Sequence, residues 1–313
     1  MLVRAKHGCR SPERSGLWAM MLSVAFMGCG ASPAPAESTR TASAVPPRLV
    51  GVDVHMHVGP AVPGQGESSG AAALAALDEA GLARGVLLSP GYRRAPGCAD
   101  DPCQAQRLFT QAMNDWALAE RLVAPSRLWV FCGVPWESGW TSAEVARCAE
   151  AGAAGLKMHQ VSADVSLRDE SPRAALGAIL DAAATSHLPV LIHVQMQDAD
   201  EVRALFELAR DHPAAVVIAA HQIAPNLALL REAPDNLWIE VSGLTHVPVE
   251  AAPHFVESWR QLGIHRVLLG SDFPSLSPRD HVAWLEAAPL SERERRAIMG
   301  ENAEGLLSRP EAR

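Results

Sequence analysis

The 313-residue sequence predicts an α/β fold, a distorted (β/α)8 TIM barrel followed by C-terminal helices, and three observations lead to this prediction. Beyond residue 48, short apolar runs recur, each followed by a segment with helical spacing and composition. The runs are continuously apolar, which indicates parallel strands covered on both faces. Eight such repeats over roughly 260 residues fit the usual size of a closed barrel better than an open sheet.

The eight apolar runs are the predicted strands. In chain order they read LVGVDVHMH, GVLLSP, LWVFCGV, AGLKMH, PVLIHV, AVVIAAH, LWIEVS and RVLLGSD. The segments between them, such as CQAQRLFTQAMNDWALAERL and APNLALLREAP, are interpreted as crossover helices. The final segment, SPRDHVAWLEAAPLSERERRAIMGENAEGLLSR, predicts the C-terminal helices. Because no GxGxxG motif follows any run, a dinucleotide-binding open sheet loses its main support.

The N-terminal segment is predicted to direct export and not to form part of the barrel. Residues 1–29 place basic side chains before the uncharged run LWAMMLSVAFM, which is too short to span a bilayer but typical of a signal peptide. The stretch FMGC resembles a bacterial lipobox, so Cys29 is the expected lipidation site, with an ordinary cleaved signal peptide as the alternative. Residues 30–48 are small and Pro-rich, which predicts a flexible tether. The barrel is expected over residues 49–308, in the cell envelope, with any membrane contact made through the lipid anchor.

Composition and cysteine content restrict the remaining possibilities. A formal net charge of -8 at pH 7 offers nothing to attract nucleic acid, which leaves a small molecule as the expected substrate. In an exported protein, Cys98 and Cys103 of the loop GCADDPCQ predict a short disulfide. Cys132, in the run WVFCGV, is interpreted as a small buried hydrophobic residue.

Polar side chains lie at the C-terminal ends of six of the predicted strands. In strand order they are His55 and His57, Lys157 and His159, His193, His221, Glu240 and Ser242, and Asp272. In a parallel barrel these ends converge on the face where active sites are built. Because side chains alternate along a strand, His55 and His57 are expected to point the same way into the barrel mouth.

A metal ion explains this concentration of polar groups. His55, His57, His193 and Asp272 are predicted to bind zinc, because imidazole nitrogens and a carboxylate are its usual ligands and can leave a position open for water. Burying so much polarity without an ion or partners would be costly. A single strand histidine, taken alone, is more often a hydrogen-bonded core residue.

Three other strand-end residues are not assigned as metal ligands, and other roles are expected for them. Lys157 is either a site residue or a salt-bridged lysine at the edge of the core. His159 is expected to line or cap the pocket and not to bind the metal. Glu240 is expected only to hold a neighbouring helix or loop.

The motifs DVHMH, GLKMH, LIHV, AAH, GSDFP and MGENAEGLL together resemble the amidohydrolase superfamily, in particular the amidohydrolase-related branch that includes aminocarboxymuconate-semialdehyde decarboxylase. The resemblance covers residues 49–308. It implies the same four metal ligands, with His221 as a catalytic histidine or one that supports a ligand. In other branches the strand-four lysine is carboxylated and bridges two metals, which would give Lys157 a direct role. A single ion is commoner in this branch, and two ions remain the alternative.

The chemistry favoured by these residues is metal-dependent hydrolysis of an ester, lactone or amide of a small molecule. Asp272 would take the proton of the attacking water, and His221 would polarise the carbonyl or stabilise the oxyanion. The first alternative is metal-dependent, non-oxidative decarboxylation, for which only Arg93 and Arg94 stand near a strand end to read a carboxylate. The second alternative is a non-catalytic lipoprotein that binds a metal or solute.

Overall fold

In the computed structural model, eight parallel strands form one sheet that curves into a barrel, as predicted. The structure describes residues 50–62, 66–96, 101–136, 139–224 and 226–308. The chain divides into two units after Arg48, and the first unit, Met1–Arg48, lies outside the described residues together with Cys29. Within the described residues no helix is both long and apolar enough to cross a membrane.

The described residues contain ten strands. They are β1 Val52–His57, β2 Gly59–Val62, β3 Gly66–Ser68, β4 Arg84–Leu88, β5 Leu128–Gly133, β6 Gly155–His159, β7 Val190–His193, β8 Val217–Ala219, β9 Leu237–Glu240 and β10 Val267–Leu268. The barrel order is β1-β4-β5-β6-β7-β8-β9-β10, and β2 and β3 form a separate antiparallel pair. These eight barrel strands coincide with the eight apolar runs of the sequence.

Helices follow the strands. The α-helices are α1 Gly70–Ala80, α2 Pro102–Glu120, α3 Thr141–Glu150, α4 Gln160–Ala163, α5 Glu170–Thr185, α6 Ala199–Asp211, α7 Ala252–Leu262, α8 Pro278–Ala287, α9 Glu292–Arg296 and α10 Asn302–Leu307. Short 3₁₀ helices cover Pro90–Tyr92, Arg121–Val123, Ala220–Ile223, Leu227–Glu232, Leu244–His246, Val249–Ala251 and Ile264–Arg266, and a π-helical turn covers Ala297–Glu301. The expected crossover helix between β8 and β9 is 3₁₀ and not α, and Pro225 and Pro234 of the sequence leave only residues 226–233 for it.

The barrel closes between its first and last strands through hydrogen bonds outside the regular ladders. The N–H of Val54 donates to the carbonyl of Leu269 over 2.9 Å, and the N–H of Asp272 donates to the carbonyl of His55 over 2.8 Å. An isolated parallel bridge also joins Met56 to Phe273. The closing contacts thus include the backbone of two predicted ligands, His55 and Asp272.

Alternation along the strands divides the apolar core into two layers. Val86, Leu88, Phe131, Leu191, Ile218 and Leu268 form the barrel interior with Ala303 and Leu307 of α10. The intervening residues, among them Leu87 and Val130, pack against the surrounding helices. The inner apolar layer places α10 across one end of the barrel and leaves the polar residues at the other.

The cysteines differ from expectation. Cys132 of β5 is buried as predicted, but it forms a disulfide with Cys148 of α3, with a Cα–Cα distance of 6.4 Å. Cys103 is a free and exposed cysteine, so the predicted Cys98–Cys103 disulfide is wrong, and Cys98 lies outside the described residues. Cys148 lies in the last turn of α3 and is separated from Cys132 by 16 in sequence, so no short loop motif signals the pair.

Candidate metal centre

Three of the four predicted metal ligands converge at the mouth of the barrel. The Nε2 atoms of His55 and His57 lie 3.1 Å apart. The Oδ1 atom of Asp272 lies 3.3 Å from Nε2 of His55 and 3.0 Å from Nε2 of His57. The side chain of His55 is fully buried, whereas those of His57 and Asp272 are 20% and 25% exposed. The three atoms form a nearly equilateral triangle with one side open to the mouth.

A β-bulge in β1 turns the two histidines into the mouth. Asp53 pairs with Gly85 of β4 and Met56 pairs with Leu87, so β1 advances three residues while β4 advances two. Val54 consequently belongs to the inner apolar layer, whereas Met56 packs with the outer one. Bulges commonly re-aim a side chain beside an active site. His55 and His57 share a side because they are two residues apart, as the sequence predicts, and the extra residue turns that side from the outer layer to the mouth.

Asp53 ties β1 to the segment that carries Asp272. Its Oδ1 atom accepts the backbone N–H groups of His55 and Ser271, each over 3.0 Å. Its Oδ2 atom is buried without a hydrogen-bond partner in the described structure. Burial raises the pKa of Asp53 to about 7, although hydrogen bonds from Ser271 and His55 oppose the rise. Asp53 is a site residue not predicted from the sequence, although an acidic residue inside an apolar strand is a visible signal.

Glu240 holds His55 and not merely a neighbouring loop, which corrects the expectation for this residue. Its Oε1 atom lies 2.8 Å from Nδ1 of His55, and the same oxygen accepts the backbone N–H of His221 over 2.7 Å. Ser242 contacts both oxygens, with Oγ 2.9 Å from Oε1 and N–H donating to Oε2 over 2.8 Å. Because a carboxylate only accepts, the proton of His55 lies on Nδ1 and its Nε2 presents a lone pair to the triangle.

His193 lies beside the triangle and next to His221, and its nitrogens do not join the converging atoms of the other three predicted ligands. Its Nδ1 atom is 2.9 Å from Nε2 of His221, and its ring stacks on His159 at 4.0 Å between centroids. Tyr92 extends the stack on the other face of His159, at 5.5 Å. His159 therefore lines the mouth, as predicted, and Tyr92 is a mouth residue that the sequence analysis missed.

His221 adopts a left-handed backbone conformation, with φ 54°, in the turn that ends β8. This conformation is costly for a residue with a Cβ atom, and such strain persists where the surroundings fix it. The N–H of His221 donates to Glu240, and its Nδ1 lies 2.7 Å from Oγ of Ser242. Asp272 is also left-handed, with φ 69°. Two predicted site residues thus owe their positions to conformations that sequence patterns do not show.

Lys157 is fully buried on β6, and its Nζ has no hydrogen-bond partner in the described structure. The interpretation as a salt-bridged lysine at the edge of the core is therefore not supported by any ion pair there. Burial lowers the pKa of Lys157 to about 8, against the opposing charges of Glu240 and Asp272. An amine in this state spends part of its time neutral at neutral pH.

The protonation states at the mouth are those that metal ligands require. Burial lowers the pKa of His55 and of His57, and it does the same for His193. Burial lowers the pKa of His159 to about 3. For Asp272, burial favours the neutral acid, but the hydrogen bond from His57 and the nearby imidazoles outweigh it and hold the pKa well below its usual range. Neutral imidazoles and an ionised carboxylate are ready to bind a cation.

The donor set fits a divalent transition metal. His55 Nε2 carries a lone pair and Asp272 Oδ1 a negative charge, so the two repel each other at 3.3 Å unless a proton or cation lies near both. Separations of 3.0 to 3.3 Å between the three donors are compatible with metal–ligand bonds of about 2.0–2.2 Å. His55, His57 and Asp272 would hold such an ion.

The two arginines near the end of β4 differ in their surroundings. Arg94 donates to the carbonyl of Ala163 over 3.1 Å, which ties two loops together. Arg93 is close enough to the mouth that its charge contributes to lowering the pKa values of His57 and His159, for both of which burial is the larger cause. Arg93 also hydrogen-bonds Tyr92. Of the two, Arg93 is the cation that borders the site.

Comparisons with solved structures agree with the fold. The structure superposes on a 2,6-dihydroxybenzoate decarboxylase complexed with 2,6-dihydroxybenzoate, with a TM-score of 0.67, 16% identity, and coverage of 83% of this chain and 99% of that one. For 5-carboxyvanillate decarboxylase from Sphingomonas paucimobilis the TM-score is 0.66, with 16% identity and coverage of 83% and 99%. For a protein described as 2-pyrone-4,6-dicarboxylic acid hydrolase from Pseudomonas putida it is 0.61, with 20% identity and coverage of 83% and 97%. At these identities the likeness shows the fold.

Sequence comparison gives the family. No curated protein sequence matches the chain significantly. The family model described as amidohydrolase matches residues 104–309, about two thirds of the chain, and this range includes His193, His221 and Asp272. The strand with His55 and His57 precedes the matched range, and the structure brings it to the same site. The chain therefore belongs to the amidohydrolase family.

Proposed function

We propose that the protein is a metal-dependent hydrolase that cleaves an ester, lactone or amide bond of a small molecule. The observation that carries the proposal is the convergence of His55 Nε2, His57 Nε2 and Asp272 Oδ1 within 3.3 Å at the barrel mouth. A divalent ion held there would supply Lewis acidity toward a carbonyl and toward water. Zinc is the proposed ion, because it suits imidazole and carboxylate ligands.

The side chains around the triangle divide the remaining work. Asp272 is ionised and a quarter exposed, so it can accept a proton from an attacking water and return it to the leaving group. The ring nitrogens of His221 contact Ser242 over 2.7 Å and His193 over 2.9 Å, so His221 is proposed to support His193, the second of the two roles expected for it. His193 is proposed as the further ligand, with His159 packed against its ring.

The number of bound ions is proposed to depend on whether Lys157 is carboxylated. A neutral fraction of the Lys157 amine can react with carbon dioxide, and carboxylation would give its unpartnered nitrogen a group that ligates a second ion. We propose one ion when Lys157 is unmodified and two when it is carboxylated. The intact mass of the protein, measured without acid, distinguishes the two states.

Manganese is the first ion to test beside zinc. A solved structure of similar fold, a dihydroxybenzoic acid decarboxylase from Polaromonas with 2-nitroresorcinol bound, contains manganese.

Non-oxidative decarboxylation of a small carboxylic acid is the second candidate, and Arg93 favours it. Its charge stands beside His57 and His159, where a substrate carboxylate would find a partner. The solved structures compared above include two decarboxylases of aromatic acids and one protein described as a hydrolase. Both reactions would use the same three ligands, so the product decides between them.

The test is an assay of the purified, metal-loaded protein on esters, lactones, amides and aromatic carboxylates. We expect hydrolysis that disappears with a chelator and returns with zinc or manganese. His57→Ala should lose metal and activity together, and the exposed His254→Ala should lose neither. Release of carbon dioxide with no hydrolysis would replace the first candidate by the second. A folded protein that holds no stoichiometric metal would rule out both.

We also propose that the enzyme is exported and anchored through Cys29. The Cys132–Cys148 disulfide supports an oxidising compartment, because disulfides rarely persist in the cytosol. Fractionation of cells that express the wild type or Cys29→Ala tests this. The wild type should partition with membranes and the variant with the soluble fraction. Equal solubility of both would remove the anchor and leave a cleaved signal peptide.

A further inference from the structure

We infer that Ser242 is a positioning residue that determines which ring nitrogen carries the proton in His221 and, through His221, in His193. The inference rests on the proposed function, because its purpose is to leave Nε2 of His193 unprotonated for the ligand role proposed above. It depends on hydrogen bonds between four buried or half-buried groups on three strand ends: Glu240, Ser242, His221 and His193.

Glu240 determines which atom donates in each of these hydrogen bonds. Its carboxylate has no proton to give, so the hydroxyl of Ser242, 2.9 Å from Oε1, must donate to it. A serine hydroxyl has one proton, and with that proton committed its oxygen can only accept. The Nδ1 atom of His221 lies 2.7 Å from this oxygen and therefore carries the ring proton.

The next hydrogen bond joins His221 to His193. Neutral His221 with its proton on Nδ1 has a lone pair on Nε2, which lies 2.9 Å from Nδ1 of His193. His193 must donate across this contact, so its proton is on Nδ1 and its Nε2 is unprotonated. Histidines that bind metals commonly donate their other N–H to a fixed acceptor in this way. The chain of bonds thus prepares Nε2 of His193 for a ligand role.

One carboxylate sets both ends of the centre. Glu240 accepts from Nδ1 of His55 directly, over 2.8 Å, and orients His193 through two intermediate residues. Glu240 and Ser242 are essentially inaccessible to solvent, so water does not compete for these bonds. The backbone N–H groups of His221 and Ser242 also donate to Glu240, which keeps the acceptor in place.

Removing the Ser242 hydroxyl releases the two histidines and leaves Glu240 attached to His55. Without an acceptor at Nδ1, His221 can move its proton to Nε2. That proton would face His193 Nδ1 and force the His193 proton onto Nε2, where it blocks ligation. Loss of a group that supports a ligand typically weakens metal binding about 10–100-fold, and we expect a loss in this range for Ser242→Ala.

Two measurements on the metal-free, full-length protein and its variants test the inference. Nitrogen-15 NMR of labelled histidine side chains reports which ring nitrogen is protonated, with His193→Gln and His221→Gln variants assigning the signals. Titration with zinc or manganese gives the dissociation constant. Ser242→Thr keeps a hydroxyl, and Ser258→Ala removes a buried serine whose hydroxyl bonds the carbonyl of His254 in α7, as the matched control.

We expect both His193 and His221 to be protonated at Nδ1 in the wild type. Ser242→Ala should mix the two tautomers and raise the dissociation constant, Ser242→Thr should restore most of the affinity, and Ser258→Ala should match the wild type. Protonation of His193 at Nε2 in the wild type overturns the inference, as does unchanged affinity in a folded Ser242→Ala. If Ser242→Ala does not fold, the wild-type spectrum alone decides. If the wild type binds no metal, the proposed function fails, but the NMR spectrum still shows whether Ser242 determines the tautomers of His221 and His193.

Discussion

Gly270 and Glu240 occupy complementary space: a Cβ atom at position 270 would overlap Oε2 of Glu240 and lie 3.0 Å from Cβ of His55. The buried carboxylate that orients His55 therefore requires the absence of a side chain at the residue two positions before Asp272. The glycine of the GSDFP motif, next to β10 and beside the strands of Glu240 and His55, thus serves the metal centre although it offers no functional group.

Gly270→Ala should disturb the centre more than it disturbs the fold. The methyl group would push Glu240 away from His55 Nδ1, so we expect metal affinity to fall at least tenfold and the free energy of unfolding to fall by about 1–3 kcal/mol, as is usual for overpacking. Metal titration and urea unfolding of the metal-free protein measure the two effects. Gly305→Ala is the control, because open space surrounds that helical glycine. Unchanged metal affinity in Gly270→Ala would contradict the prediction.

Lys157→Met should stabilise the unmodified, metal-free protein at neutral pH. Burial lowers the pKa of Lys157 to about 8, so below that pH the fold must hold a buried ammonium. The shift from 10.5 corresponds to about 3 kcal/mol at pH 7, and the difference falls below about 1 kcal/mol near pH 10, where the folded-state amine is neutral. The wild type should therefore gain stability from pH 8 to 10.5, whereas Lys157→Met should not.

Urea unfolding at pH 7 and pH 10 with a chelator present measures this dependence. The exposed Arg279→Met is the control, and its unfolding free energy should match the wild type at both pH values. A Lys157→Met variant less stable than the wild type at pH 7 would show that the side chain of residue 157 is favourably partnered, as it would be if Lys157 were carboxylated.

The barrel could be predicted from the sequence because its strands carry the signal locally. Each of the eight apolar runs is a strand, and the polar residues at their C-terminal ends do meet at one mouth. The segment between β8 and β9 could not be assigned so well, because a short apolar stretch has the same composition in an α-helix and in a 3₁₀ helix.

The metal triangle was predictable for the same reason, and its supports were not. His55, His57 and Asp272 are of ligand type and lie at strand ends. The roles of Glu240 and Ser242 depend on their contacts with His221 on the neighbouring strand end. The left-handed turn at His221 brings its N–H to Glu240 and its Nδ1 to Ser242. A pattern of residue types carries no information about such contacts. Likewise, the spacing of cysteines suggested Cys98 with Cys103, whereas the fold brings Cys148 to Cys132.

The Cys132–Cys148 disulfide should contribute measurably to stability. It closes a loop with a sequence separation of 16, for which about 2–4 kcal/mol is typical. We expect the Cys132→Ala/Cys148→Ala double variant to lose about that much free energy of unfolding under non-reducing conditions. Cys103→Ser, at an exposed free cysteine, should change it by less than about 0.5 kcal/mol. Alkylation of both Cys132 and Cys148 in the unreduced, denatured wild type would show that the bond does not form.

Asp53 should act as the connector between β1 and the Asp272 segment, where the barrel closes without a regular ladder. Asp53→Leu leaves the N–H groups of His55 and Ser271 buried and unsatisfied, at about 1–3 kcal/mol each, and frees Asp272 to move from the histidines. Asp53→Asn keeps an oxygen that can accept both bonds, so it should bind metal nearly as well as the wild type.

The pH dependence of stability separates Asp53→Asn from the wild type. Because burial raises the pKa of Asp53 to about 7, the folded protein binds a proton that the unfolded chain releases near pH 4. The Asp53 contribution to stability is therefore full below about pH 4 and is lost as the pH rises through about 7. Asp53→Asn cannot ionise, so its advantage over the wild type should grow from pH 5 to pH 8 in urea unfolding of the metal-free protein. A wild type that gains stability relative to Asp53→Asn over this range would show that the ionised carboxylate is the favoured partner of the two N–H groups.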